Sequence, residues 1–107
     1  MDDTLGSLEH QVLLAMMRIG ESAYSVPIVI ELEACTGRTV SPSAVYITLR
    51  RLEERGLVSS SLERAEREQR GRPRRVFRVE AEGLKLLRES KRAFGNLWSG
   101  LEALDDA

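Results

Sequence analysis

One short stretch, residues 41–58, concentrates side chains that are suited to recognising nucleic acid. At 100° per residue, one face of a helix over this stretch would carry a hydroxyl, an aliphatic side chain and a guanidinium group, from Ser43, Ile47 and Arg50. Hydroxyls bind phosphates or base edges, aliphatic groups contact the thymine methyl group, and arginine donates two hydrogen bonds to guanine. The pattern therefore predicts a helix that reads double-stranded DNA.

Each of these side chains, together with two neighbours, has a predicted role. Ser41 and Ser43 are expected to contact phosphates or base edges where the helix begins. Ile47 is expected to contact a thymine methyl group, and Arg50 to bind a guanine. Tyr46 lies on the flank of the same face and would reach a phosphate through its hydroxyl. The alternative for Tyr46 is packing against the strands that follow the helix.

Local sequence signals mark both ends of this reading helix. Ser41 is suited to accept a backbone N–H as the N-cap, and Pro42 suits the first helical position, where no N–H is needed. Gly56 is able to adopt the left-handed conformation that ends a helix. The face opposite to the reading face carries apolar residues, namely Val45, Leu49 and Leu52. One side of the helix should therefore pack while the other stays exposed.

A basic hairpin is predicted to follow the reading helix. Residues 57–62 and 75–79 have the composition of two strands, and the loop between them is polar. Within that loop, residues 70–73 read Arg-Gly-Arg-Pro, which is the core of the minor-groove-binding AT-hook. The basic side chains of this wing are expected to contact phosphates or the minor groove beside the reading helix, from Arg72, Arg74 and Arg75.

Charge is distributed unevenly along the 107 residues, although the net charge is only −1. Residues 50–78 carry ten basic and five acidic side chains, a net +5, whereas residues 1–49 sum to −4 and residues 79–107 to −2. Positive charge concentrated beside the reading helix is typical of a surface that binds a polyanion. The other interpretation of this segment is a charged hairpin that is merely solvated.

Two helices are predicted before the reading helix. The first covers residues 7–19, where apolar side chains recur at helical spacing, and ends at Gly20. The second is expected to begin with Ser25 as its N-cap and to end at about Thr36. Cys35 of this second helix is interpreted as a small core residue. Because only a short link leads on to the reading helix, the pair should form a helix-turn-helix.

A final helix is predicted from about Ala81 towards Ala103. Its apolar residues alternate spacings of three and four, the pattern of a coiled-coil seam, and a domain of this size offers little for that seam to pack against. A homodimer is therefore predicted, with an interface made of Leu13, Met17, Leu87, Phe94, Leu97, Trp98, Leu101 and Leu104. The alternatives are that this helix folds back on the first helix, and that the core of a single chain covers the additional apolar residues of the first helix.

The composition argues against several other classes of protein. An enzyme is not expected, because His10, the single histidine, has no plausible acid and nucleophile beside it and no phosphate-binding glycine motif occurs. One cysteine and one histidine do not make a four-ligand zinc site, so neither a metal nor a cofactor is predicted. No apolar run is long enough to cross a membrane and the N-terminus is acidic, so a cytoplasmic location is expected.

These elements predict a mainly α protein with a small two-stranded antiparallel β-wing. Residues 4–80 would form a winged helix-turn-helix domain, and residues 81–105 a C-terminal dimerisation helix. Three stretches of the chain also match a known pattern, namely LGSLEHQVLLAMMRIGESAYSV (5–26), TGRTVSPSAVYITLRRLEERGLVSS (36–60) and RGRPRRVFRVEAEGLKLL (70–87), and the specific part of the match is AVYxTLxRLExxGLV. In these stretches the chain resembles the PadR family of transcriptional regulators, in its short form without a separate C-terminal domain.

The resemblance implies a dimeric repressor that places two reading helices in successive major grooves of a pseudo-palindromic operator, about 34 Å apart. It also implies a small planar or lipophilic effector near the dimer interface, where Phe94 and Trp98 are the matching aromatic residues. For Trp98 the alternative is plain burial in that interface. The competing function is a winged helix with no DNA role, whose basic wing would dock on an acidic protein.

Overall fold

Four α-helices and a two-stranded antiparallel sheet make up the computed structural model, which describes residues 4–21, 23–63 and 73–106. In chain order the elements are α1 (Ser7–Ile19), α2 (Ser25–Thr36), α3 (Pro42–Glu54), β1 (Val58–Glu63), β2 (Arg74–Val79), α4 (Ala81–Trp98) and a short 3-10 helix (Glu102–Asp106). The predicted mainly helical fold with a two-stranded wing is confirmed. Within the described ranges, no helix is both long and apolar enough to cross a membrane.

The core forms where α1, α2 and α3 pack together against the base of the sheet. Each of these helices turns an apolar stripe inward, because its buried side chains recur at helical spacing. Phe77 of β2 is the largest of the fully buried side chains and joins the wing to the helices. The core residues are Val12, Leu13, Ala15, Met16, Ala23, Ile28, Leu32, Val45, Leu49, Leu52, Leu57, Val58, Phe77 and Leu87.

The predicted boundaries of α3 are confirmed. The Ser41 Oγ accepts a hydrogen bond from the Ala44 N–H at 3.2 Å, and Pro42 occupies the first turn. Gly56 follows the helix with a φ of 76°, a conformation that costs glycine nothing but strains other residues. The apolar face of α3 is fully buried, so this helix is held firmly from behind.

The two strands of the wing pair so that Val58 lies opposite Val79 and Glu63 lies opposite Arg74. β2 is also bonded to the segment between α1 and α2, because the Phe77 N–H donates to the Ala23 carbonyl oxygen at 2.7 Å. The base of the wing is therefore attached to the helical core on one side and paired along its length on the other.

The first half of α4 packs against the sheet and α1. The Glu80 N–H donates to the Leu57 carbonyl oxygen at 2.9 Å, and a methyl group on Gly83 would lie 2.4 Å from the same oxygen. Further along, the Ser90 hydroxyl and His10 Nδ1 are hydrogen-bonded at 2.9 Å. The alternative in which the last helix folds back on the first is therefore realised for this half.

The second half of α4 leaves the core, and every residue from 91 to 104 is exposed. The predicted extent of this helix is wrong, because α4 ends at Trp98. Gly100, with a φ of 86°, turns the chain immediately afterwards. The last two residues of the predicted seam, Leu101 and Leu104, therefore do not continue a coiled coil.

Four residues differ from their predicted environments. Leu13 and Leu87 are 0% and 6% exposed in the core of their own chain, so the prediction that they form a dimer interface is wrong. The physical reason is that α1 packs against α2, α3 and α4, which together cover more than one stripe of its surface. Cys35 is exposed and not a core residue. Ser25 is the first residue of α2 and not its N-cap.

Candidate nucleic-acid interface

The outward face of α3 carries the side chains that were assigned to DNA contact. Ile47 is 52% exposed, with Ser43 and Arg50 exposed on the turns before and after it. Thr48 and Leu49, the two residues that follow Ile47, are buried. Ile47 lies between polar residues on this face and does not belong to the hydrophobic core of the chain. Its aliphatic side chain can therefore make an apolar contact with a ligand.

The two serines at the start of α3 share a hydrogen bond, with 3.0 Å between the hydroxyl oxygens of Ser41 and Ser43. Ser41 also accepts the Ala44 N–H. Whichever serine donates to the other, the remaining hydroxyl proton has no acceptor within the described part of the chain. That proton is available to a phosphate oxygen, at a helix N-terminus whose dipole also favours an anion.

Tyr46 and Arg50 hold each other one turn apart on α3. Arg50 Nη1 donates to the Tyr46 hydroxyl at 3.1 Å, and the guanidinium carbon lies 5.9 Å from the centre of the Tyr46 ring. The hydrogen bond from Arg50 to the Tyr46 hydroxyl raises the pKa of Arg50. The hydrogen bond and the cation–π contact described for Tyr46 are both with Arg50.

Two arginines of the wing are held by neighbouring side chains. Arg75 Nη1 donates to Ser60 Oγ at 2.9 Å, from β2 to β1. The guanidinium carbon of Arg74 lies 4.2 Å from the centre of the Tyr24 ring, a cation–π contact. Both arginines are half-buried, so their positions are partly determined before a ligand arrives. Arg72 and the predicted AT-hook core lie outside the described residues, apart from Pro73.

A second surface, which we call the α4 patch, consists of Phe94, Leu97 and Trp98. Their side chains are 52%, 70% and 52% exposed. The spacings of three and four residues place all three on one side of the helix. Three large apolar side chains exposed together indicate a docking surface, because isolated exposure is common but a contiguous apolar patch is not.

A cavity of about 440 Å³ opens beside the α4 patch. Its lining residues are Thr4, Leu5, Leu86, Glu89, Ser90, Ala93 and Phe94. The Phe94 ring also lies 5.8 Å from the His10 ring, centre to centre. Phe94 thus belongs to the cavity and to the patch, whereas Trp98 is not among the lining residues. The structure places the two predicted effector residues one turn apart on α4, and only Phe94 lines this cavity.

The comparison with family models decides the class of protein. The model of the Transcriptional regulator PadR-like family matches residues 13–89, which is more than half of the chain. The chain belongs to this family. The PadR-like match includes all of α2, α3, β1 and β2, so it covers the reading helix and both strands of the wing.

Solved PadR-like structures have the same fold as this chain. One from Eggerthella lenta is 30% identical, with a TM-score of 0.68 over 91% of this chain and 86% of that one. One from Bacillus cereus is 22% identical, with a TM-score of 0.73 over 94% and 92%. One from Bacteroides fragilis is 23% identical, with a TM-score of 0.74 over 91% and 88%. A search of curated protein sequences found no match.

A regulator from Bordetella bronchiseptica, BpsR, is also similar in fold. Its structure is described as giving the mechanism by which 6-hydroxynicotinic acid regulates its DNA binding. It is 19% identical to the PadR-like chain, with a TM-score of 0.65 over 94% of this chain and 70% of that one. At this identity the similarity shows the fold alone.

Two polar residues next to the reading face of this PadR-like chain were not found from the sequence. Glu53 pairs with Arg50, with 3.6 Å between Oε1 and Nε. The spacing of three residues on one helix is a signal that could have predicted this pair. Ser60 receives the hydrogen bond of Arg75 from another strand, and no local pattern in the sequence indicates that contact.

Proposed function

We propose that this PadR-like chain binds double-stranded DNA and acts as a dimeric transcriptional repressor. The observation that carries the proposal is the outward face of α3, where Ile47 and Arg50 are exposed on a helix that the core holds from behind. This helix would enter the major groove, with Arg50 on a guanine and Ile47 on a thymine methyl group. Ser41 and Ser43 would bind a phosphate or a base edge where the helix begins.

The wing would bind the DNA backbone or the minor groove beside α3. Arg74 and Arg75, at the start of β2 next to the loop, would supply contacts from the end of the paired strands, and Arg72 would extend them along the loop. The net charge of +5 over residues 50–78 supports this assignment. Contacts of this kind supply affinity for any sequence, whereas the contacts of α3 supply specificity. Tyr46 would add a phosphate contact through the same hydroxyl that accepts from Arg50.

Salt titration of binding to random duplex DNA tests the proposal. About six phosphate contacts would lower the affinity by roughly 10³-fold between 50 and 200 mM salt. Such a dependence would favour DNA binding over the competing function, a winged helix that docks on an acidic protein. No binding even at low salt would reject DNA binding.

A reporter gene placed behind a DNA site selected by the protein tests repression. Its expression should fall when the protein is supplied, and a rise in expression would reject repression.

A homodimer would form through the α4 patch. The patch lies on the part of the chain that projects from the core, and Met17, Leu101 and Leu104 are exposed apolar residues that would extend the contact. Burial of this apolar surface between two copies would remove it from water and so stabilise the dimer. A two-fold dimer would present two copies of α3 to the half-sites of a pseudo-palindromic operator, about 34 Å apart.

Replacing Leu97 with aspartate should weaken this dimer at least about tenfold, because a carboxylate would have to be desolvated where an apolar side chain was buried. Leu97 is the most exposed member of the α4 patch, at 70%. The matched control is Arg92→Gln, which removes one positive charge and so changes the net charge equally from a position on the opposite side of α4. Sedimentation velocity over a concentration series measures both. Equal dimer affinities for the two variants would reject the interface.

A small planar or lipophilic effector would bind next to the dimer interface, with Phe94 and Trp98 as stacking residues. The cavity of about 440 Å³ beside Phe94 and the ligand-regulated DNA binding described for BpsR support this proposal. The interface alternative for Trp98 predicts instead that dimerisation buries it completely.

Trp98 is the only tryptophan of the chain, so its fluorescence reports on this site alone. Planar phenolic acids that bind should quench the fluorescence and weaken DNA binding, and Phe94→Leu should reduce both effects. Quenching without any change in DNA binding would reject control by the effector. The absence of both effects across a panel of such compounds would favour plain interface burial of Trp98.

A further inference from the structure

A continuous series of polar contacts joins the reading face of α3 to the wing. Arg50 Nη1 donates to the Tyr46 hydroxyl at 3.1 Å, and Arg50 Nε lies 3.6 Å from Glu53 Oε1. The other oxygen of the same carboxylate, Glu53 Oε2, accepts the Ser60 hydroxyl at 2.6 Å. Ser60 Oγ in turn accepts from Arg75 Nη1 at 2.9 Å. Glu53, which belongs to α3, therefore connects Arg50 on the same helix to Ser60 on the wing.

The Glu53 carboxylate is an unexpected group on a surface that is proposed to bind DNA. A negative charge on a surface that binds a polyanion weakens binding to every DNA sequence. Glu53 is nevertheless half-buried between two arginines that are proposed to contact DNA, and its two oxygens have different partners. A carboxylate at this place is useful if it determines where the neighbouring cations point.

We propose that Glu53 is a positioning residue that sets specificity by holding Arg50 towards the base edges and, through Ser60, the Arg75 side chain on the wing. The inference rests on the proposed DNA binding of α3. Without the carboxylate, Arg50 keeps its charge and its hydrogen bond to Tyr46, but it is no longer held from the wing side. A guanidinium that moves more freely reaches phosphates as readily as it reaches a guanine, so specificity falls while affinity for random DNA does not.

Glu53→Gln separates this role from a purely structural one. Glutamine has the same shape and still accepts the Ser60 hydroxyl, but it has no charge for Arg50. We expect discrimination between the selected site and a site changed at the guanine to fall roughly two- to fivefold, the range of a partly exposed ion pair. Affinity for random duplex DNA should rise by a similar factor at low salt, because one negative charge is removed.

The matched control is Glu54→Gln, which removes the same charge from the next residue of α3. Glu54 is exposed and acts on Arg50 only through the longer-range field. This variant should raise the affinity for random DNA but leave discrimination at the guanine unchanged. A second variant, Ser60→Ala, breaks the connection to Arg75 and leaves the ion pair of Arg50. It should reduce affinity for all sequences by the same factor and not change discrimination.

The experiment uses the full chain and a duplex chosen by the wild-type protein from a random pool, with affinities measured by fluorescence anisotropy. If the wild-type protein binds no duplex, the proposed function fails. If it binds and discriminates, but Glu53→Gln and Glu54→Gln discriminate equally well, this inference alone fails. Combining Glu53→Gln with Arg50→Ala should cause no further loss of discrimination beyond Arg50→Ala. An additive loss would mean that Glu53 does not act through Arg50.

Discussion

Replacing Arg50 with alanine should reduce discrimination at one base pair of each half-site by about 1–3 kcal/mol, the difference that a bidentate arginine–guanine contact provides. The side chain is exposed and stands apart from the core, so folding should be unaffected. The wild-type residue contributes a charged guanidinium, as arginine does at every practical pH. Binding measured against duplexes that differ at single positions would locate the base pair that loses discrimination.

Arg75→Ala provides the comparison for this experiment. Arg75 is assigned to the phosphates or the minor groove, so its removal should weaken binding to all sequences about equally and lower the salt dependence by about one unit of slope. The opposite pattern would be a uniform loss of affinity for Arg50→Ala and a loss at selected sequences for Arg75→Ala. It would contradict the assignment of specificity to α3 and of sequence-independent affinity to the wing. Circular dichroism of both variants would exclude a difference in folding.

Replacing Gly83 with alanine should lower the free energy of unfolding by about 2 kcal/mol, the scale on which overpacking acts. The added methyl group would lie 2.4 Å from the Leu57 carbonyl oxygen and 3.1 Å from Val79 Cγ1. Because the first of these is a backbone atom, relief requires the first turn of α4 to move away from Leu57, the residue before β1. That movement would also lengthen the hydrogen bond from Glu80 to the same oxygen.

Gly95→Ala is the matched control, because it makes the same chemical change in the same helix. A methyl group on Gly95 has no described neighbour within 4 Å. Alanine is the better helix former, so this variant should gain about 0.5–1 kcal/mol. Urea denaturation at one fixed protein concentration measures both variants. If Gly83→Ala were also stabilising, the close approach of α4 to the Leu57 backbone would be wrong.

The reading helix shows how far local sequence signals reach. Ser41, Pro42 and Gly56 marked the ends of α3 correctly, because capping and positive φ depend on residues within one turn of each other. The buried face of α3 was also predicted, since apolar spacing alone determines which side of a helix turns inward. The roles of the exposed residues stay predictions that DNA-binding measurements have to test.

The C-terminal segment shows where such signals fail. The seam pattern continues past Trp98, yet α4 ends there and Gly100 redirects the chain. Leu87 and Leu97 both belong to the apolar seam pattern, but Leu87 is buried in the core and Leu97 is 70% exposed. Their difference depends on where α4 leaves α1 and the sheet, which is a property of packing and not of either residue's neighbours in the chain.

The sequence by itself determined the order of the helices and strands, the two faces of α3, the charge of the wing and the PadR-like resemblance, because caps, periodicity and composition act over a few residues. Only the tertiary structure decided that Leu13 is covered on all sides, that Gly83 must be a glycine and that Glu53 connects Arg50 to Ser60 and Arg75. These features join segments distant in the chain, and their geometry exists only after the helices and the sheet have packed.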